Sequence, residues 1–207
     1  MSLSTTTATA VAFLAFTAVA SFPAEPPGAR AEIVRIGPGS YRSVTTVQEL
    51  RVEEAVTLDA EEHLVTAYVR VEQLGHLPAV MWLDRGTSSV TVAQGTEVTR
   101  LAPPADAPWV YEPPVATALG AWVVARAASA GAPVRIVHAD RSELVPADQL
   151  LVATDEGAVA VVGEDAVDLD TRFVERVQLR ARGISLVRTE TSVDRWVLTD
   201  ARATYFF

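Results

Sequence analysis

Leu64-Val65-Thr66-Ala67-Tyr68-Val69-Arg70-Val71-Glu72 alternates apolar and polar side chains, most clearly from Tyr68 onward. Period two is the pattern of a strand with one face on a core and the other in water. Working outward, the residues from Ala31 to Leu101 divide into short segments of the same kind. These are Glu32–Ile36, Ser43–Arg51, Ala55–Leu58, Leu64–Gln73, Ala79–Leu83, Ser88–Val92 and Glu97–Leu101, with turns supplied near Gly86 and Gly95. Short strands joined by turns predict an antiparallel β-rich domain, a small sandwich or barrel.

Pro23, Pro26, Pro27 and Gly28 form a stiff connector ahead of this region. Met1 to Ala24 carries no charged side chain and holds the apolar run Val11-Ala12-Phe13-Leu14-Ala15-Phe16. Three readings compete for it: a segment packed on the folded body or a partner, a secretory signal, and a membrane anchor. The absence of a basic n-region favours the packed segment and a cytoplasmic location over export or anchoring. Downstream, residues 102–114 hold Pro103, Pro104, Pro108, Pro113 and Pro114 around Trp109 and Tyr111, which reads as a linker whose aromatic rings dock on neighbouring structure. The predicted organisation is therefore 1–28 apolar segment and connector, 29–101 β-rich domain, 102–114 linker and 115–207 α/β domain.

The last of these contains a weak internal repeat between Ala125–Val161 and Val177–Phe206. One half reads Gly131-Ala132-Pro133-Val134-Arg135-Ile136-Val137-His138 and later Val152-Ala153-Thr154-Asp155-Glu156-Gly157-Ala158. The other reads Gly183-Ile184-Ser185-Leu186-Val187-Arg188 and later Val197-Leu198-Thr199-Asp200-Ala201-Arg202-Ala203. The shared Val-x-Thr-Asp-x-x-Ala predicts two helix–strand–hairpin units, each with an aspartate at a turn. The fold class expected from the whole chain is α+β: the β-rich domain followed by this α/β region.

Composition removes several reaction classes. The chain of 207 residues has seventeen arginines and no lysine, asparagine or cysteine. No Schiff-base lysine, phosphate-loop lysine, thiol nucleophile or cysteine-ligated zinc is available. Lysine and asparagine share codons beginning AA, so their joint loss points to the GC-rich genome of a bacterium. Arginine keeps its proton and is neither base nor nucleophile at ordinary pH. A net charge of −9 argues against general nucleic-acid binding. The 49% apolar content suffices for a real core.

The C-terminal region, about residues 115–206, resembles a degenerate phospholipase D fold on its helix, glycine, strand and Asp-bearing hairpin. That family's signature is His-x-Lys, then four residues, then Asp. Counting back from Asp155 puts Asp148 and Leu150 at the His and Lys positions, and counting back from Asp200 puts Val193 and Arg195 there. The resemblance thus implies a fold without its phosphodiester chemistry, in a binding or scaffolding role.

Two local patterns carry chemistry. His138, Asp140, Arg141 and Glu143 follow the strand predicted after the first helix, and a histidine beside a carboxylate at a strand's carboxyl end suits general-base work. The bland reading is a solvated loop. Arg172, Arg176 and Arg180 step by four, which predicts a basic stripe on a helix opposite Phe173, Val174 and Val177, with Glu164, Asp165, Asp168 and Asp170 at the helix start. That face would bind an acidic partner or another copy of the chain, or simply be solvated. His63 and His76, with His138, match no metal-ligand spacing, and Gly37-Pro38-Gly39-Ser40 reads as a turn. The expectation is a non-catalytic regulatory, ligand-sensing or assembly protein, a homo-oligomer with neither cofactor nor metal. The alternatives are a small hydrolase or isomerase using His138 with Asp140 or Glu143, and an exported or membrane-anchored structural protein.

Overall fold

The computed structural model describes residues 28–113, 116–154, 157–162, 165–169 and 173–201. The apolar segment before the connector lies outside them, as do Asp155, Glu164, Asp170 and Arg172. Strands run in chain order as β1 (Arg30–Gly37), β2 (Ser40–Val47), β3 (Leu50–Leu58), β4 (Leu64–Gln73), β5 (Ala79–Asp84), β6 (Ser89–Gln94), β7 (Glu97–Leu101) and β8 (Trp109–Tyr111). Helix α1 (Ala118–Ala128) comes next, then β9 (Val134–Val137), β10 (Ser142–Val145), the single-turn α2 (Ala147–Leu150), β11 (Leu151–Thr154) and β12 (Gly157–Val162). The chain closes with β13 (Asp165–Leu169), β14 (Val174–Leu179), β15 (Ile184–Thr191) and β16 (Arg195–Asp200).

The architecture corrects the α+β expectation. Thirteen strands form one antiparallel sheet in the order β11-β12-β13-β14-β15-β16-β1-β2-β3-β4-β5-β6-β7, and β10-β9-β8 make a small second sheet. The C-terminal strands extend the N-terminal sheet, because β16 pairs antiparallel with β1, Ala31 opposite Leu198 and Ile33 opposite Trp196. Local periodicity reports that a segment is a strand, but not which distant strand completes its ladder.

Strand β3 shows the pattern most plainly. Leu50, Val52, Glu54, Val56 and Leu58 are buried while the residues between them are half-exposed. On the outer face the charges oppose one another across the ladder, Arg51 against Glu72 and Glu53 against Arg70. The segment expected as a single strand over Ser43–Arg51 is in fact two, folded back at Gln48 and Glu49 between the paired Val47 and Leu50. Gln48 takes φ 55°, a left-handed conformation that usually selects glycine or asparagine, so the turn carried no sequence signal.

Helix α1 packs against β8, β12, β14 and α2, and every residue except Arg126 is buried. Its Ala and Gly residues let the surrounding strands approach closely. Tyr41, Trp122, Phe173 and Trp196 form a chain of rings with centroids 4.8, 5.2 and 4.6 Å apart, joining both halves of the large sheet to α1. Offset and edge contacts of this kind add to the area the rings bury.

The two helix–strand–hairpin units are corrected in part. The first has its helix α1, Gly131 at φ 72°, strand β9 and the β11–β12 hairpin. Among the described residues the second has no α-helix, only a single 3-10 turn over Arg180–Arg182 ahead of β15: Val177 lies in β14, and Asp200 ends β16 between β15 and β1. The α-helix expected to carry Arg176 and Arg180 is likewise not found there: Arg176 lies in β14, and Arg180 opens the 3-10 turn. In β14 Leu169 faces Val174 and Asp168 faces Arg176, so Glu175 is an extra residue, a β-bulge. The bulge shifts the phase and buries Val174 and Val177 with two exposed residues between them, a spacing that imitates a helix. The proline-rich segment contributes β8, with Trp109 and Tyr111 fully buried.

Candidate functional site

Three groups of polar side chains in the described residues bear on the expected sites. The first surrounds His138, just past the end of β9. Its Nδ1 lies 2.7 Å from Glu112 Oε2, and its Nε2 lies 3.1 Å from Glu143 Oε1. Parallel pairing of β8 with β9 brings Glu112 alongside, and antiparallel pairing of β9 with β10 brings Glu143 across. The ring is nearly buried, with 11% of the side chain exposed. The expected partner Glu143 is therefore present, whereas Asp140 is exposed and pairs with Arg141 at 3.3 Å. Glu112 was missed because it stands 26 positions before His138 and only the small sheet joins them. With both ring nitrogens facing carboxylates, the imidazole fastens three strands and leaves no nitrogen open to a substrate.

Beside this sheet, Arg135 on β9 makes a two-pronged bond to Asp106, at 2.8 and 2.9 Å, and Trp109 Nε1 donates to Pro104 O at 2.9 Å. The hydrogen bond from Arg135 holds the Asp106 carboxyl below its usual range. Both contacts pin the proline-rich segment to the small sheet.

The second group is internal. Glu54 occupies a position that the alternation of β3 reserves for an apolar side chain. Its Oε1 accepts from Tyr111 at 2.9 Å and from Thr117 at 2.6 Å, and its Oε2 accepts from Ser43. Thr117 is also the N-cap of α1, accepting from Gly120 N at 3.1 Å. Burial raises the pKa of Glu54, against the lowering effect of its hydroxyl partners. Burial, and then the charge of Glu54, raise that of Tyr111 well above its ordinary value. The signal for this group was legible in hindsight: one acid at a buried phase among Leu50, Val52, Val56 and Leu58.

The third group contains what remains of the arginine stripe. Arg176 is exposed and lies 3.8 Å from Asp168, and the backbone N–H of Arg180 donates to Asp165 Oδ1 at 2.9 Å. Asp168 and Arg176, with Glu175 and Val159, line a surface groove of about 420 Å³. Of the histidines, His63 and His76 stand at opposite ends of β4, about 30 Å apart at the rise of an extended strand, so they do not meet.

No protein-family model matches the chain, and no curated protein or solved structure matches it. Function must be argued from the site and surface chemistry alone.

Proposed function

We propose that this chain is a non-catalytic assembly protein that associates with a second copy of itself through the open edge of the large sheet. The observation carrying this reading is the β5–β7 end. Val80 pairs with Ala93 and Ala93 with Val98, which puts these three on one face with Trp82, opposite the buried Met81, Leu83 and Val90. Val98, on β7, is 57% exposed and Trp82 42%, and among the described residues no strand pairs with the outer side of β7. An exposed edge strand is a template for pairing, and on β7 Val98 adds an apolar contact between Glu97 and Arg100. An antiparallel pair of β7 strands centred on Thr99 sets Val98 against Arg100 and Glu97 against Leu101, with no like charges opposed.

The phospholipase D-like resemblance of the first unit supports a non-catalytic role, since Asp148 and Leu150 stand where its chemistry needs His and Lys. The hydrolase or isomerase alternative rests on the 3.1 Å approach of His138 and Glu143, and requires that ring to release one of its two carboxylates. Sedimentation velocity over a range of concentrations tests the assembly reading. The expected result is a reversible dimer that Val98→Lys converts to a monomer with its circular dichroism unchanged. A chain that stays monomeric throughout, or a dimer indifferent to Val98→Lys, overturns it.

A further inference from the structure

The turn joining β3 to β4, Asp59-Ala60-Glu61-Glu62-His63, gathers three donor groups on one side. Nδ1 of His63 lies 3.9 Å from Asp59 Oδ2 and 3.9 Å from Glu61 Oε2, and one donor atom from each of the three residues lies within 4.8 Å of the others. These separations exceed a hydrogen bond, so the groups converge without satisfying one another.

The backbone of the turn is held by other atoms. Asp59 Oδ1 accepts the N–H groups of Glu61 and His63 at 3.0 and 2.8 Å, which leaves Oδ2 facing the imidazole. Glu62 turns away and pairs with Arg126 at 2.8 Å. That arginine takes the neighbouring acid, and among the described residues Asp59 and Glu61 form ion pairs with His63 alone. Two convergent carboxylates therefore lack a guanidinium in a chain that supplies one to Glu32, Glu53 and Glu72.

We propose that Asp59, Glu61 and His63 bind a divalent transition-metal ion. The nitrogen donor distinguishes this set from a simple acidic turn, because imidazole with carboxylates suits zinc, cobalt, nickel or manganese, whereas calcium asks for six to eight oxygens. Donors bonded tetrahedrally at about 2.0–2.2 Å stand about 3.3–3.6 Å apart, so each 3.9 Å contact with the imidazole must shorten by about 0.3–0.6 Å, and the widest pair, within 4.8 Å, by up to about 1.5 Å. Glu61, 80% exposed, has the freedom to supply most of that movement. Asp59 and His63 are about two-thirds buried and already oriented. Water completes the coordination on the solvent side. This site shares no residue with the β7 edge.

Calorimetric titration of the full chain, stripped with chelator, uses Zn²⁺, Co²⁺ and Ca²⁺ as separate probes. The expected result is one saturable Zn²⁺ or Co²⁺ site per chain, no comparable Ca²⁺ site, and a cobalt absorption band. Both His63→Ala and Glu61→Gln should weaken binding by at least about tenfold. Asp59→Asn should do the same while keeping the turn, since an amide oxygen still accepts the two N–H groups. His76→Ala should change nothing. Absence of saturable Zn²⁺ or Co²⁺ binding, or binding that survives His63→Ala, overturns the proposal.

Discussion

Replacing Glu54 tests the account of the interior most directly, because two substitutions of similar size are expected to diverge. Glu54→Gln keeps an oxygen to accept from Tyr111 and Thr117, and its amide nitrogen replaces the oxygen that faces Ser43, whose hydroxyl can reverse to accept. Glu54→Leu removes the acceptor for three buried hydroxyls. At about 1–3 kcal/mol for each unpaired group, that loss is at least about 3 kcal/mol, a large part of the ~5–15 kcal/mol that holds a domain. The pH dependence separates the wild type from Glu54→Gln. Burial raises the pKa of Glu54 above its ordinary value of 4.5, so the native state holds the proton more tightly than the unfolded chain. The resulting stability is fully present below the ordinary value and is lost as pH rises through the raised one. Gln does not titrate, and the other carboxylates cancel in the comparison. The stability of Glu54→Gln relative to wild type should therefore climb with pH, by up to about 1.4 kcal/mol per unit, and then level off above the native-state value. Urea unfolding followed by tryptophan fluorescence at a series of pH values measures it. A difference that is flat with pH, or that grows toward acid, refutes the reasoning, as does a Glu54→Leu chain as stable as wild type.

Two further outcomes follow from the same geometry. Gly120→Ala ought to stabilise a helix by about 0.5–1 kcal/mol on propensity alone, but a Cβ there would stand 2.8 Å from Thr117 Oγ1 and 3.4 Å from Glu54 Oε1. The expected sign is therefore destabilising, and a higher thermal midpoint for the variant would contradict the packing around the cap. Arg135→Lys keeps the charge but loses the two-pronged bond to Asp106. Hydrogen exchange in residues 102–108 should accelerate while exchange in β3 and β4 stays as it was, and unchanged exchange in the proline-rich segment would deny Arg135 its role there.

Strands β4 and β7 were legible residue for residue, Leu64–Gln73 and Glu97–Leu101, because each alternates or is bounded by glycine-bearing turns. The hairpin at Gln48 was not, since a left-handed glutamine carries no compositional mark. His138 and Glu143 could be paired from sequence because adjacent strands of one hairpin bring them together. Glu112 could not, because it reaches the ring through the parallel pairing of β8 with β9. The spacing of Val174 and Val177 that suggested a helix has a different cause, a bulge in β14 in place of a helical turn.

Residue type and period two are local properties, so the excluded chemistry and most of the early strands can be read along the chain. That the two halves share one sheet, that α1 is enclosed, and that Glu54 lies buried among three hydroxyls are properties of the assembled fold. Those outcomes depend on which distant strands complete one another's hydrogen bonds and on the register in which they meet, and no local pattern records either.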